Sequence, residues 1–223
     1  MDITPIARIR SDFSEKFGIP RQSGLVEELT ATVVFEPPYR DPSALRGLEG
    51  FSHIWLIWEF SKARWAGWSP TVRPPRLGGN RRLGVFATRS PFRPNPLGLS
   101  CVRLLAVRQD QDLGPVLLVA GADLMDGTPI YDVKPYLPYA DCKPEAAGGF
   151  ASQPKGADLT VDCPAELLEA VPEAKRSALL AVLAQDPRPQ YQDDPARVYG
   201  MAFAGAEVKF RVDGDMLTVL EIE

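Results

Sequence analysis

Residues 29–35 read LTATVVF and residues 53–60 read HIWLIWEF. Both runs are rich in β-branched and aromatic side chains, which fit a pleated, half-buried surface better than a helix. The first stops at Pro37-Pro38, where a missing backbone donor ends a ladder. Further strands are expected on either side, at residues 3–10, 83–87, 99–108 and 115–123. Turn residues separate them, including Gly78-Gly79-Asn80 and the stretch from Pro91 to Pro96. A short helix is expected to start at Asp41, as N-cap, with Pro42 in its first position. Strands this close together, without amphipathic helices between them, point to a β-sandwich or β-barrel rather than alternating β/α units. The chain contains no GxGxxG, which disfavours a doubly wound dinucleotide-type domain and a P-loop.

The last third reads differently. Residues 143–155 are rich in Ala, Gly and Pro without periodicity, which marks a linker. Residues 158–161 then read as a strand, and residues 164–171 and 173–184 as helices. The second helix should stop before Asp186-Pro187, because the residue preceding a proline avoids the α region. Strands are expected at 198–203, 207–212 and 216–221, the last two joined by the hairpin signal Asp213-Gly214.

The chain has 223 residues, 45% of them hydrophobic and 24% charged, as expected of a folded protein. Its longest apolar runs fall far short of the ~20 residues of a spanning helix. The formal charge is −4, which at first argues against a nucleic-acid partner. The charge is uneven, however. Residues 61–109 hold ten of the 25 basic residues and no acid, which leaves 15 basic against all 29 acidic residues elsewhere. Nine of those ten are Arg, whose planar fork suits phosphates and carboxylates. A local anionic partner is therefore expected. Cys101, Cys142 and Cys163 are odd in number and form no CxxC, and His53 is the single histidine. The cysteine pattern disfavours a zinc site or a disulfide framework, and a single histidine excludes a His-rich metal centre. The first 17 residues carry Asp2, Asp12 and Glu15 around no apolar core, unlike a signal peptide, so a cytoplasmic location is expected.

Four segments have the composition of a site. Residues 84–100, GVFATRSPFRPNPLGLS, place Arg89, Arg93 and Asn95 on a loop stiffened by three prolines. Such a loop loses little entropy on binding a charged ligand. Residues 123–139 carry Asp123, Asp126, Asp132, Lys134 and Tyr136 near strand ends, where a carboxylate can bind an ammonium or ribose hydroxyls, accept a proton, or simply form a turn. Residues 17–22, FGIPRQ, offer amide and guanidinium donors, and residues 185–191, QDPRPQY, follow a helix with Arg188 and Tyr191 as a phosphate contact and a base stack. Trp55 reads as core. Trp65 and Trp68, beside Lys62 and Arg64, suit base stacking or packing under the loop.

These segments, with RGLEGFSH at 46–53, RPPRLGGN at 73–80 and DGTPIYDVKPYLP at 126–138, occur in the order of one family. The chain resembles the TsaA/YaeB-like (TrmO) bacterial tRNA methyltransferases over almost its whole length. The resemblance implies S-adenosylmethionine-dependent N6-methylation of threonylcarbamoyladenosine, 3′ of the anticodon, in a tRNA reading threonine codons. It implies a mainly β fold: an N-terminal TsaA-like β-barrel at 1–142, unlike the Rossmann type, a linker at 143–157 and a small α+β C-terminal domain at 158–223 that contacts tRNA. It also implies a homodimer. Carried over by position, the cofactor site draws on Pro20, Arg21, Gln22, His53, Ile54, Arg89, Leu99, Ala120, Gly121, Ala122 and Asp123. Arg93, Asn95, Tyr136, Asp186, Arg188 and Tyr191 fall to the substrate. Asp126 or Asp132 is the candidate base, and Arg89, Arg93 or Lys134 would stabilise charge or clamp the threonyl carboxylate. Two readings stay open beside this one: a methyltransferase acting on another nucleoside or small molecule, and a tRNA-binding barrel without catalysis.

Overall fold

The computed structural model describes residues 2–61, 68–77, 80–152, 158–189 and 194–223. Six strands carry the first part: β1 (Ala7–Arg10), β2 (Thr30–Phe35), β3 (His53–Glu59), β6 (Leu97–Asp110), β7 (Gly114–Ala120) and β8 (Pro129–Pro135). Two short strands, β4 (Thr71–Val72) and β5 (Leu83–Gly84), pair with each other in the long connection between β3 and β6. The six ladders close on themselves in the order β1-β2-β7-β6-β3-β8, with every pairing antiparallel. Closure leaves no unpaired edge.

Alternation fixes which side chains fill the interior. Ala31, Val33 and Phe35 of β2 and Ile54, Leu56 and Trp58 of β3 are buried, while their neighbours are at least partly exposed. They meet Ile9, Val102, Leu117, Val119 and Ile130 in one core. The interior is thus filled with side chains, so a ligand must sit at an end or on the outer face. Gly98 shows how tight the filling is: a Cβ there would lie 2.2 Å from the Trp58 ring.

The chain direction reverses at every neighbouring strand, so three connections share one end: 11–29, 60–96 and 121–128. This end carries most of the sequence-predicted site. The opposite end holds the β2–β3 connection and the tight β6–β7 turn.

The second unit is a four-stranded sheet of order β10-β11-β12-β9, with β10 at Tyr199–Phe203, β11 at Ala206–Asp213, β12 at Met216–Ile222 and β9 at Thr160–Asp162. Among the described residues there are three α-helices: α1 (Pro138–Asp141) follows β8, and α2 (Ala165–Leu168) and α3 (Glu173–Ala184) belong to this unit. Ala178, Leu179, Val182 and Leu183 form the buried stripe of α3 against the sheet. The core under this sheet is not its own. Phe13, Val26 and Leu29, from the β1–β2 connection, are buried in it. Phe13 meets Phe203 edge to face at 5.5 Å, and Phe17 stacks over Tyr199 at 6.5 Å and Phe210 at 6.4 Å. Gly18 follows with φ +90, its α-carbon pressed so close to Met201 that a Cβ would lie 2.2 Å from the sulfur. Asp12 adds an ion pair to Lys175 of α3 at 2.7 Å.

The mainly β reading of the first part, the α3 limits and the Asp213-Gly214 hairpin agree with the structure. Four details differ. Residues 129–135, read as lying near strand ends, themselves form β8 and close the ring. The helix capped by Asp41 is a single 3-10 turn at Pro42–Leu45, its cap accepting the Ser43 N–H at 2.8 Å. The stretch 83–87 is strand only at Leu83–Gly84 and then turns as a 3-10 segment. Trp55 is not core: it lies on the outer face and donates to Asp141 at 3.0 Å, while Trp58 takes the interior. Both tryptophans sit on one alternating strand, and the sequence alone did not say which phase faced inward. Trp65, Lys62, Arg64 and Tyr191 lie outside the described residues, as do Gly78 and Gly79. Among the described residues, no helix is long and apolar enough to cross a membrane.

Because Phe13 is 1% exposed and joins the two units, Phe13→Ala should lower stability by about 3–5 kcal/mol. Urea denaturation followed by tryptophan fluorescence measures it. A loss below about 1 kcal/mol would show that the two units do not depend on this contact.

Candidate functional site at the loop end of the closed sheet

The connection 11–29 leaves the shared core after Ile19 and returns to it at Val26. Pro20, Arg21 and Gln22 lie between these anchors. Pro20 is buried and Arg21 exposed. Gln22 donates through Nε2 to the Arg21 carbonyl and accepts through Oε1 from Arg89 Nη1. The same connection is hydrogen-bonded to the end of β7: Gly24 N–H donates to the Gly121 carbonyl at 2.9 Å, and Gly121 N–H to the Leu29 carbonyl at 2.8 Å. Gly121 has φ +75, and a Cβ on it would crowd Gly24 at 3.2 Å. The two loops therefore approach as closely as backbones allow.

Asp123 stands beyond this contact. Its Oδ1 accepts from Ser100 Oγ at 2.5 Å, and Ser100 Oγ in turn accepts from Trp58 Nε1 at 2.9 Å. Ser100 and Trp58 are buried. Burial pushes the Asp123 carboxyl above its usual range, opposed by the Ser100 hydroxyl, the Arg89 charge and the Ser23 backbone. Three loops far apart in sequence thus bring Gln22, Arg89 and Asp123 together. Donors that can take a carboxylate stand beside a carboxylate that can take an ammonium or ribose hydroxyls. This donor set fits S-adenosylmethionine, whose amino acid end carries both an ammonium and a carboxylate. Ser100 and Trp58 were not among the sequence candidates. Their only signal was position: Ser100 faces inward on β6 where the strand is otherwise apolar.

The remaining candidates divide. Ile54 is fully buried, so only its backbone can meet a ligand. Ala120 and Ala122 are buried at the end of β7. His53, Leu99, Asp132 and Lys134 line the outer face of β3, β6 and β8, where His53 pairs with Arg103, Ile57 with both Leu99 and Asp132, and Trp55 with Lys134. Tyr136 joins them, its ring 6.2 Å from His53 and 5.8 Å from Trp55. Burial, with nearby Cys142, raises the Tyr136 phenol. Asp132 and Lys134 form an ion pair at 2.9 Å. Next to them Tyr131 donates to Glu59 at 2.6 Å, a bond that pushes its phenol up to about 12.

Arg93 braces its own loop. It donates to the carbonyls of Thr88 at 2.7 Å and Val85 at 3.2 Å and lies over the Phe86 ring. Asn95 is exposed. Asp126 serves the turn after β7, accepting the Ser11 N–H at 3.0 Å, and lines a cleft of about 380 Å³ with Asp12, Lys175 and Gly205. Asp186 and Arg188 pair with each other at 2.9 Å, and Arg188 is only 8% exposed. Several of the described arginines of the basic segment have separate partners. Arg89 and Arg93 stand in the loop, Arg82 donates to Thr71, and Arg103 faces Glu27 at 3.9 Å on the outer wall.

Comparison with known proteins supports one family. Residues 8–142 match the model of the tRNA-methyltransferase O N-terminal domain, and residues 157–223 that of the TrmO C-terminal domain. The tRNA (adenine(37)-N6)-methyltransferase of Escherichia coli K12 is 42% identical, over 98% of this chain and 96% of its own. A Pseudomonas aeruginosa protein classed by name among S-adenosylmethionine-dependent methyltransferases is 40% identical, over 99% of this chain and 96% of its own. The crystal structure of TrmO from Pseudomonas aeruginosa superposes with a TM-score of 0.80 at 34% identity, covering 100% of this chain and 98% of that one. With both domain models matched in order on a site assembled from the same segments, the chain belongs to the tRNA-methyltransferase O family.

Proposed function

We propose that this protein methylates N6 of threonylcarbamoyladenosine, 3′ of the anticodon, in tRNA that reads threonine codons. Its class is that of an S-adenosylmethionine-dependent tRNA adenine-37 N6-methyltransferase. The observation that carries the reading is the meeting of Gln22, Arg89 and Asp123 at the loop end of a closed, filled sheet. That sheet is the catalytic barrel, the C-terminal unit holds the tRNA, and the location is the cytoplasm, where tRNA is modified.

S-adenosylmethionine supplies a methyl group on a sulfonium, open to in-line displacement. Asp123, Gln22 and Arg89 would hold its ionic and hydroxyl groups, beside the close Gly121–Gly24 backbone contact. Rigid placement of donor and acceptor provides much of the rate. The acceptor is a ureido nitrogen whose lone pair is delocalised into a carbonyl, so removing its proton helps. Of the two candidate bases, Asp132 suits the task better. Each accepts one backbone N–H, Asp126 from Ser11 and Asp132 from Val133, but Asp132 also has Lys134 beside it to stabilise the developing anion. Lys134, exposed beside Asp132, is also placed to take the threonyl carboxylate. Arg93, whose Nη1 already serves two carbonyls, keeps the loop in shape. Unmodified adenosine is the poorer substrate because it lacks the carboxylate that Lys134 would hold.

A homodimer explains the division of the site residues. The outer wall exposes Leu97, Leu99 and Leu105, and the loop exposes Phe86 at 72%. A second copy covering this wall would join His53, Leu99 and Tyr136 to a neighbouring loop end. Analytical ultracentrifugation should give a dimer for the wild type and a monomer for Leu99→Asp. A wild-type monomer would remove this part of the reading.

Asp132→Asn should lower kcat by about 10²- to 10⁴-fold with cofactor affinity unchanged. Asp126→Asn should cost stability and leave kcat nearly intact; the opposite pattern would reassign the base. The whole function is tested by nucleoside mass spectrometry of tRNA from cells lacking the gene. The N6-methylated threonylcarbamoyl nucleoside should vanish and return with the gene, and an unchanged level would overturn the reading.

A further inference from the structure

The segment QDPRPQY was expected to touch tRNA, yet its arginine is turned inward. Asp186 has φ +50, a left-handed conformation costly for a residue with a side chain. Asp186 N–H donates to the Leu183 carbonyl at 3.1 Å. Its Oδ1 accepts from the N–H of Arg188 at 3.3 Å and from Nε at 2.9 Å, and its Oδ2 accepts from Nη2 at 3.3 Å. The two side chains are 10% and 19% exposed. A two-pronged, largely buried ion pair thus holds a strained turn. A strained conformation maintained this firmly suggests a task for the backbone it fixes.

That backbone has a partner in the other unit. The carbonyl of Arg188 accepts from Arg21 Nη2 at 3.1 Å, across 167 positions of sequence. From Arg21 hydrogen bonds lead on to Arg89: the Arg21 carbonyl accepts from Gln22 Nε2 and Gln22 Oε1 accepts from Arg89, whose charge acts on Asp123. The stretch holding Arg21 is anchored at both ends by Phe17 and Val26 in the C-terminal core. Its middle is held by the Arg188 carbonyl.

We propose that the Asp186–Arg188 pair is a positioning device for the cofactor site, acting through Arg21, rather than a contact to tRNA phosphate. It rests on the cofactor site proposed above. The C-terminal unit then sets the geometry in which Gln22 and Arg89 receive S-adenosylmethionine, even with no tRNA bound.

The test is calorimetric titration of S-adenosylmethionine into the full-length protein without tRNA. Asp186→Asn keeps an acceptor for the Arg188 N–H and tolerates the left-handed backbone, but removes the charge of the clamp. It should weaken cofactor binding by about fivefold or more. Arg188→Met, which keeps the buried stem, should do the same, and melting curves confirm that each variant is folded. Arg21→Ala should also weaken binding, and the double variant Arg21→Ala/Asp186→Asn should bind no more weakly than Arg21→Ala alone, because both act along one route. Wild-type affinity in folded Asp186→Asn and Arg188→Met, or additive losses in the double variant, would overturn the proposal. Weakened binding of a threonylcarbamoylated anticodon stem-loop with cofactor affinity intact would reassign the pair to tRNA contact. Arg89→Ala separates the two readings. If it weakens cofactor binding while Asp186→Asn does not, only the positioning role fails. If Arg89→Ala is silent, the cofactor site itself is misplaced, and the positioning role falls with it.

Discussion

The structure depends on one insertion: Phe13 and Phe17, on the first connection of the closed sheet, pack against the core of the C-terminal unit. A closed sheet filled with side chains has no room inside for a ligand, so its chemistry must be built from its loops. Loops are the parts of a fold least able to hold their own shape. Here the loop bearing Arg21 and Gln22 gains rigidity from buried aromatic surface, the strongest source of order available to a short segment. The C-terminal unit gains in turn, since a four-stranded sheet with one long helix covers its core only partly. The two units therefore fold around shared side chains despite the Ala/Gly/Pro-rich stretch between them.

The carboxylate network follows from the same economy of space. Trp58 fills the interior so fully that only glycine fits at position 98. Its indole N–H, buried, needs an acceptor, and Ser100 supplies one. The Ser100 hydroxyl then has a proton to give, and Asp123 receives it. Core packing and site chemistry are thus joined by two hydrogen bonds. A carboxylate aimed in this way is both fixed in direction and partly desolvated, which strengthens whatever it binds.

Residues 29–35 and 53–60 announced strands because their side chains suit no other element, and residues 173–184 announced a helix with its stop written in Asp186-Pro187. Residues 129–135 were harder. Two prolines bound a strand that carries Tyr, Asp and Lys, and its ladder partners, β1 and β3, are remote in sequence. Phase was harder still, since shifting an alternating strand by one residue exchanges Trp55 for Trp58. Among site residues, the long proline-stiffened motif pointed to Arg89 without help. Ser100 was marked only by its inward phase on an otherwise apolar strand, and nothing local showed that Arg188 faces inward.

By itself the sequence determined most of the strands and the long helix, the basic excess of residues 61–109 and the family to which these motifs belong. All are properties of residue identity and short-range order. Only the tertiary structure decided that β8 closes the ring, that Gln22, Arg89 and Asp123 meet, and that the arginine of QDPRPQY holds a loop of the other unit. Those outcomes depend on which distant segments pack together. Packing is governed by shape and burial summed over the whole chain, a quantity no single stretch of sequence contains.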